Sequence, residues 1–241
     1  MIKVLYLTVL LGCAVCSAAQ TASDEWFRYP PQPLEAKVQL LRTTQENTHL
    51  LVKFPSLLVT SDYPQNSTVY AEALLPHRSQ RMPAVVILHS WGVQKPDIEL
   101  SLARFLAKRG FVAVVMTLPY HLQRTPSGYL SGELMIVSDV EHMRRTMRQA
   151  ALDVQRLIDW LQSQTQIDAD KIGIVGISLG AIVGALTLGV EPRLQAGVLV
   201  LGGANLAHVL WRSPLTMNIR AELKRTGVDY ERLQQEMLPV E

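Results

Sequence analysis

The chain has 241 residues, of which 48% are hydrophobic and 18% charged, with a formal net charge of +2. That is apolar material enough for one sizeable core. It is too little positive charge for a nucleic-acid partner, and no dense Lys/Arg cluster stands out. Arg144, Arg145 and Arg148 come nearest, and they read as the solvated face of a predicted helix.

Residues 1–20, MIKVLYLTVLLGCAVCSAAQ, have the pattern of a secretory leader. Lys3 gives a positive start, Val4 to Leu11 is apolar apart from Thr8, and Ser17-Ala18-Ala19 offers small residues for cleavage after Ala19. The run is shorter than the about 20 apolar residues that span a membrane comfortably, so no stable span is expected. A variant reading takes Leu10-Leu11-Gly12-Cys13 as a lipoprotein box with Cys13 lipidated. Both cysteines, Cys13 and Cys16, fall inside the leader. A mature chain starting at residue 20 then has no disulfide, Cys nucleophile or thiolate metal site. The expectation is a secreted or periplasmic protein, with a signal peptide over 1–19 and one domain over 20–241. Asn66-Ser67-Thr68 is a glycosylation sequon, and neither modification is favoured.

Residues 20–47 are punctuated by proline and read as an arm lying on the domain. HLLVKFPS and STVYAEALLP read as two early strands joined by the turn-forming SDYPQNS. Four continuous apolar runs follow, PAVVILH, FVAVVM, KIGIVGI and AGVLVLG, each of strand length and suited to burial on both faces of a parallel sheet. Between them lie helical patterns. In DIELSLARFLAKRG, Ile98, Leu102, Phe105 and Leu106 share one face, and Gly110 ends the helix. The clearest helix is 138–164, with Ser138 and Glu141 as a capping box and an apolar stripe from Val140 to Leu161. Its methionines, Met143 and Met147, read as core filling. LGAIVGALTLGV, after Ser178, is apolar on nearly every side and reads as a buried helix, with Gly180 and Gly184 allowing close approach to the sheet. The alternation predicts an α/β fold with a mostly parallel sheet, helices on both faces, and ligands at the strand C-termini.

Two motifs fall at such C-termini. Gly176-Ile177-Ser178-Leu179-Gly180 sits where an apolar strand becomes an apolar helix. A tight turn there crowds the backbone, so glycines flank the serine, and the turn lifts Oγ above the sheet edge beside a helix N-terminus. The alternative is a serine that merely caps the helix. His89-Ser90-Trp91-Gly92 ends the earlier strand. It resembles the H-G-x-G oxyanion loop of esterases, with Ser90 in place of the first Gly; that arrangement implies that the backbone N–H groups of Trp91 and Leu179 face the developing negative charge and that His89 ties the loop down. The alternative is a strand-end histidine bonded to backbone and a tryptophan in the core.

These motifs, with IDADKIGIVGISLG and PAVVILHSWG, resemble the α/β-hydrolase superfamily, and most of all its dienelactone-hydrolase-like and acyl-peptidase-like serine esterases. The resemblance covers roughly residues 67–203. HSWG follows the third strand of the family's order, Gly110-Phe111 opens the fourth, and the serine follows the fifth. It implies hydrolysis of an ester, thioester, lactone or peptide through an acyl-enzyme, with a small-molecule acyl substrate and no metal or cofactor. It also implies an acid and a histidine after Ser178, in that order.

Only His208 follows Ser178 among the histidines, and only Glu191 stands between them as an acid, at the far end of the elbow helix. Residues 204–241 show helices and a loop but no further buried-strand run. The expectation is an α/β-hydrolase domain lacking its last two strands, with Ser178 as nucleophile and an acid and base still to be supplied. Its open sheet edge then invites a partner or an oligomer. The rival expectation is a non-catalytic binding or interaction protein on the same partial fold. Tyr120 and His121, in LPYHLQRTPSG, are candidates to line a substrate pocket, or His121 serves only to stabilise a long loop. His142 reads as a surface residue, and Asp139 and Asp153 carry no motif.

Overall fold

The computed structural model describes residues 25–58, 62–202 and 205–240. The leader expected over 1–19, with Cys13 and Cys16, lies outside the described residues. A 7-stranded sheet forms the centre, in the order β1-β2-β3-β5-β4-β6-β7. The strands are β1 Lys37–Thr43, β2 Asn47–Pro55, β3 Thr68–Pro76, β4 Met82–Leu88, β5 Val112–Met116, β6 Ile167–Ile177 and β7 Leu194–Val200. β5, β4, β6 and β7 pair in parallel, whereas β1, β2 and β3 form an antiparallel flank joined to β5. All strands but β1 and β3 therefore run the same way. The helices are α1 Asp97–Lys108, α2 Val140–Ser163, α3 Leu179–Val190, α4 Leu206–Arg212, α5 Met217–Arg225 and α6 Tyr230–Met237. α1 packs on one sheet face through Ala103 and Ala107 against Ile87, Ala113 and Val115. α2 and α3 bury their apolar residues on the other face against Val86, Ile172 and Ile174.

Several sequence expectations change. The second half of the N-terminal arm is a strand, β1, so HSWG follows β4 and Ser178 follows β6. Every residue of β1 is exposed, which is why no alternation betrayed it. Residues 25–36 do lie on the domain: Arg156 donates to the carbonyls of Gln32 and Pro33 (both 3.0 Å), and Tyr29 donates to Asp159 at 2.8 Å. The arginines of α2 are not simply a solvated face. Arg148 donates to the Trp26 carbonyl at 2.6 Å, and the guanidinium groups of Arg144 and Arg148 stack over the Trp26 ring. The inward face of α1 is built from Ala103 and Ala107, whose small side chains let the helix sit close to the sheet, with Leu102 and Leu106 of the expected face packed beside them. Ile98 and Phe105 point outward, 71% and 50% exposed. α2 is capped by Asp139, whose carboxylate accepts the His142 N–H at 3.0 Å, and not by Ser138. His142 is half-buried, with Nε2 against the Leu134 carbonyl at 2.8 Å. Asn66 of the sequon is 1% exposed and its amide donates to Gln149, so a glycan has no access to it.

β7 is the sheet's edge, and no strand follows it among the described residues. After Leu194 all of its residues are exposed, with Val198 at 57%. The apolar edge foreseen from the sequence is therefore present. Among the described residues no helix is long and apolar enough to cross a membrane.

One buried feature carries no sequence motif. Arg124 and Asp153 form an ion pair at 2.8 Å with both side chains fully buried. Arg124 also donates to the carbonyls of Thr117 (3.1 Å) and Asn66 (2.9 Å), and Ser56 donates to Asp153 at 2.7 Å. The pair bolts the chain after β5 to the middle of α2. Removing one partner strands the other charge in the core, which costs about 3–5 kcal/mol. Arg124→Met is expected to lose stability of that order in urea denaturation, and Arg124→Met with Asp153→Leu to recover a large part of it.

Candidate active site

β4 and β6 are neighbours, with Leu88 in register with Gly176, so the residues after both strands emerge side by side. The strand-to-helix turn at Ser178 is sharp. Ser178 takes φ 53 and ψ −112, a backbone region that non-glycine residues seldom occupy. A Cβ on Gly176 would collide with the backbone of Gly180 and Ala181, and one on Gly180 with the carbonyls of Leu88 and His89. Both glycines are thus needed for α3 to start against the ends of β4 and β6. The Ser178 N–H donates to the Val200 carbonyl at 2.8 Å, which ties the elbow to β7. The hydroxyl makes no capping bond to the helix it precedes, so the capping alternative fails. Leu179 opens α3, and its N–H is among the first four that a helix leaves without an internal acceptor.

The loop after β4 is fixed by histidines. His89 is buried; its Nε2 accepts the Leu118 N–H at 3.0 Å, which leaves Nδ1 to donate to the Ser90 carbonyl at 2.9 Å. The loop-tying role read for His89 is therefore seen directly. His121 repeats the arrangement. Its Nε2 accepts the Gly92 N–H at 3.1 Å, and its Nδ1 donates to the Pro119 carbonyl at 2.8 Å. The two rings lie 4.8 Å apart at 64°. Trp91 donates its indole N–H to the Gly132 carbonyl at 2.8 Å, and Gly92 turns the chain at φ 69.

Of the two candidate pocket residues, Tyr120 lines a cavity of about 180 Å³ with Tyr63, His142, Arg145 and Gln149. Its ring meets those of Tyr63 and His142. His121 does not line that cavity: it is fully buried, and both ring nitrogens hold backbone. His208 turns to Tyr230, Nδ1 to hydroxyl 3.3 Å, and Glu191 is held by Arg193. Glu191 follows the last turn of α3, roughly 20 Å along the axis from Ser178 at 1.5 Å per residue. No hydrogen bond reaches the Ser178 hydroxyl among the described residues. Nor is any group of three or more His, Cys, Asp or Glu side chains among them placed to hold a metal ion.

The sheet order, the parallel strands and the elbow at Ser178 define an α/β-hydrolase. Residues 30–220 match the family described as alpha/beta hydrolase domain containing 18, and the chain belongs to that family. It is 32% identical over 155 residues to Rv2627c of Mycobacterium tuberculosis (strain ATCC 25618 / H37Rv), a match taking in 62% of this chain and 36% of that protein. The chain thus spans about a third of that relative's length. It is 27% identical over 168 residues to the Bacillus subtilis (strain 168) protein named "Putative esterase YitV", covering 68% of this chain and 61% of that one. The acetyl xylan esterase from Paenibacillus sp. R4 superposes with a TM-score of 0.65 at 15% identity, over 92% of this chain and 71% of that one. At that identity the likeness speaks to fold.

Burial holds both imidazoles well below the ordinary histidine value of 6.5, His89 at about 4 and His121 at about 3, and the nearby Arg124 pushes the same way. Both are neutral in the folded protein, while the unfolded chain protonates them below about pH 6.5. Stability is therefore unaffected above that value and falls as the pH drops from about 6.5 towards 4, by up to about 2.7 kcal/mol per unit from the two groups together. Urea denaturation at about pH 7, 5.5 and 4.5 is expected to show this slope. A His89→Gln/His121→Gln protein is expected to lose that part of it.

Proposed function

We propose that this chain carries the nucleophile and oxyanion half of a serine hydrolase acting on a carboxylic ester or related small acyl substrate. Ser178 Oγ attacks the acyl carbonyl carbon, the carbonyl π pair moves to oxygen, and the N–H groups of Leu179 and Trp91 receive the resulting oxyanion. Each such donor is worth about 2.7–4 kcal/mol in the transition state. Collapse expels the leaving alkoxide, which takes up the proton given up by Ser178 and departs as the alcohol, and leaves an acyl-enzyme that water then hydrolyses to the acid and free Ser178. The observation that carries this reading is the left-handed backbone of Ser178, held between two glycines that admit no side chain. The esterase name of the Bacillus relative agrees with the ester class. We further propose that residues 1–19 direct the protein out of the cytoplasm, and that a partner or second copy covers the exposed face of β7.

Serine needs a base to take its proton. His208 bonds Tyr230 instead, so the chain by itself is expected to reach only the roughly 10³–10⁴-fold acceleration that binding and oxyanion donors give over water. A base brought to Ser178 from outside the described contacts restores the rest. The pairing of His208 with Tyr230, with no base bonded to Ser178 among the described residues, also fits a second reading, a ligand-binding protein that keeps the elbow without turning substrate over.

A fluorophosphonate probe separates the two. Labelling of the wild-type protein and none of Ser178→Ala is the expected result. A soluble, folded wild type that takes up no probe would leave the binding reading in place.

A further inference from the structure

The loop after β5 holds a cluster of strain and hydrogen bonds that the hydrolytic steps do not use. Tyr120 and Leu122 sit at φ 60 and 48, so His121 lies between two non-glycine residues in the left-handed region. Each such residue costs on the order of 1–3 kcal/mol and persists only where its surroundings over-determine it. Their surroundings are the turn after β4. His121 Nε2 takes the Gly92 N–H, Gly132 takes the Trp91 indole N–H at its carbonyl, and Ser131 Oγ donates to the Val93 carbonyl at 2.6 Å. Three consecutive residues, 91, 92 and 93, are thus gripped from one side. The grip is itself braced. Gly132 donates to the Tyr120 carbonyl at 2.7 Å, and Leu122 donates to Ser131 Oγ at 3.0 Å. A Cβ on Gly132 would strike the His121 imidazole, so residue 132 fits only as glycine, at φ 81.

We propose that His121 is a positioning residue of the oxyanion loop: by accepting the Gly92 N–H in a fully buried site, it fixes the 91–92 peptide on one side of Trp91, while His89, through the Ser90 carbonyl, holds the 90–91 peptide that carries the Trp91 N–H. The inference rests on reading Trp91 as an oxyanion donor. The geometry explains why a histidine is needed. The acceptor must be neutral, reach across between two loops, and carry a donor on its far side for the Pro119 carbonyl. A neutral imidazole does all three with one rigid ring. Its protonation state is fixed by its bonds, so it contributes no proton to the reaction; it acts only through the loop.

The test compares wild type, His121→Phe and His121→Gln. Phe fills the space without an acceptor, and Gln restores an acceptor oxygen near the position of Nε2. The first readout is the Gly92 amide, followed by its hydrogen exchange and its ¹⁵N–¹⁵N coupling to the His121 ring in the wild type. The second is the rate of fluorophosphonate labelling at Ser178. Expected are a measurable coupling, loss of Gly92 protection in the Phe variant with its retention in the Gln variant, and labelling slowed about tenfold or more by Phe, since small misplacements near reacting groups cost up to about 100-fold. Labelling of His121→Phe at the wild-type rate, or Gly92 protection unchanged by it, overturns the proposal. If the Phe variant does not fold, the wild-type coupling decides: its absence overturns the proposal and its presence supports it. If the wild type does not label at all, the nucleophile reading fails, and the Gly92 measurements still decide whether His121 sets the loop.

Discussion

The fold turns on how closely α3 approaches the ends of β4 and β6. Its first turn is in van der Waals contact with the Leu88 and His89 carbonyls through Gly180, and folds back on Gly176. Two absent side chains make that contact, and the buried length of α3 holds it closed. Leu179, Val183 and Leu186 pack into the main core. Gly184, Gly197 and Gly202 face side chains across the same helix–sheet seam. The left-handed conformation of Ser178 follows from this packing: once helix and strand are seated, the residue joining them has few conformations left.

A second constraint supports the neighbouring loop from below. The Arg124–Asp153 pair, with Ser56, Asn66 and Gln149, forms a buried polar layer between the β2–β3 connection, α2 and the chain after β5. Asn66 reaches the Tyr120 N–H at 3.0 Å, so the layer ends where the strained residues begin. From α2 upward the order is ion pair, strained turn, buried imidazole and HSWG loop. Polar groups buried this way are worth little net stability against apolar replacements. What they supply here is a fixed position for a loop that carries no regular structure.

The parts legible in the sequence were those written in contiguous residues. Continuous apolar runs gave β4, β5, β6 and β7, and the glycines around Ser178 gave the elbow. β1 was missed because KVQLLRT is exposed along its whole length, and an edge strand without a buried face leaves no period. Side-chain size is a poor guide to the inward face of α1: the sheet accepts Ala103 and Ala107, with Leu102 and Leu106 beside them, and leaves Phe105 to stack under Arg109. The role of His121 and the pairing of Arg124 with Asp153 depend on partners 29 residues away in each case. No local pattern encodes those distances. The loop LPYHLQRTPSG and its His121 are visible in the sequence, but not what they touch.

The backbone at residue 178 also bears on why a serine stands there. Glycine would take the same torsions without a Cβ penalty, and among the described residues the hydroxyl of the serine makes no capping bond to the helix it precedes. Folding alone would therefore be served as well or better by the smallest residue. A side chain in a place that folding alone does not call for is what the proposed nucleophile role would require. The same reasoning sets the control for any inert form of this protein: an alanine there keeps the awkward geometry, whereas a glycine relaxes it, and the two should differ in firmness as well as in silence.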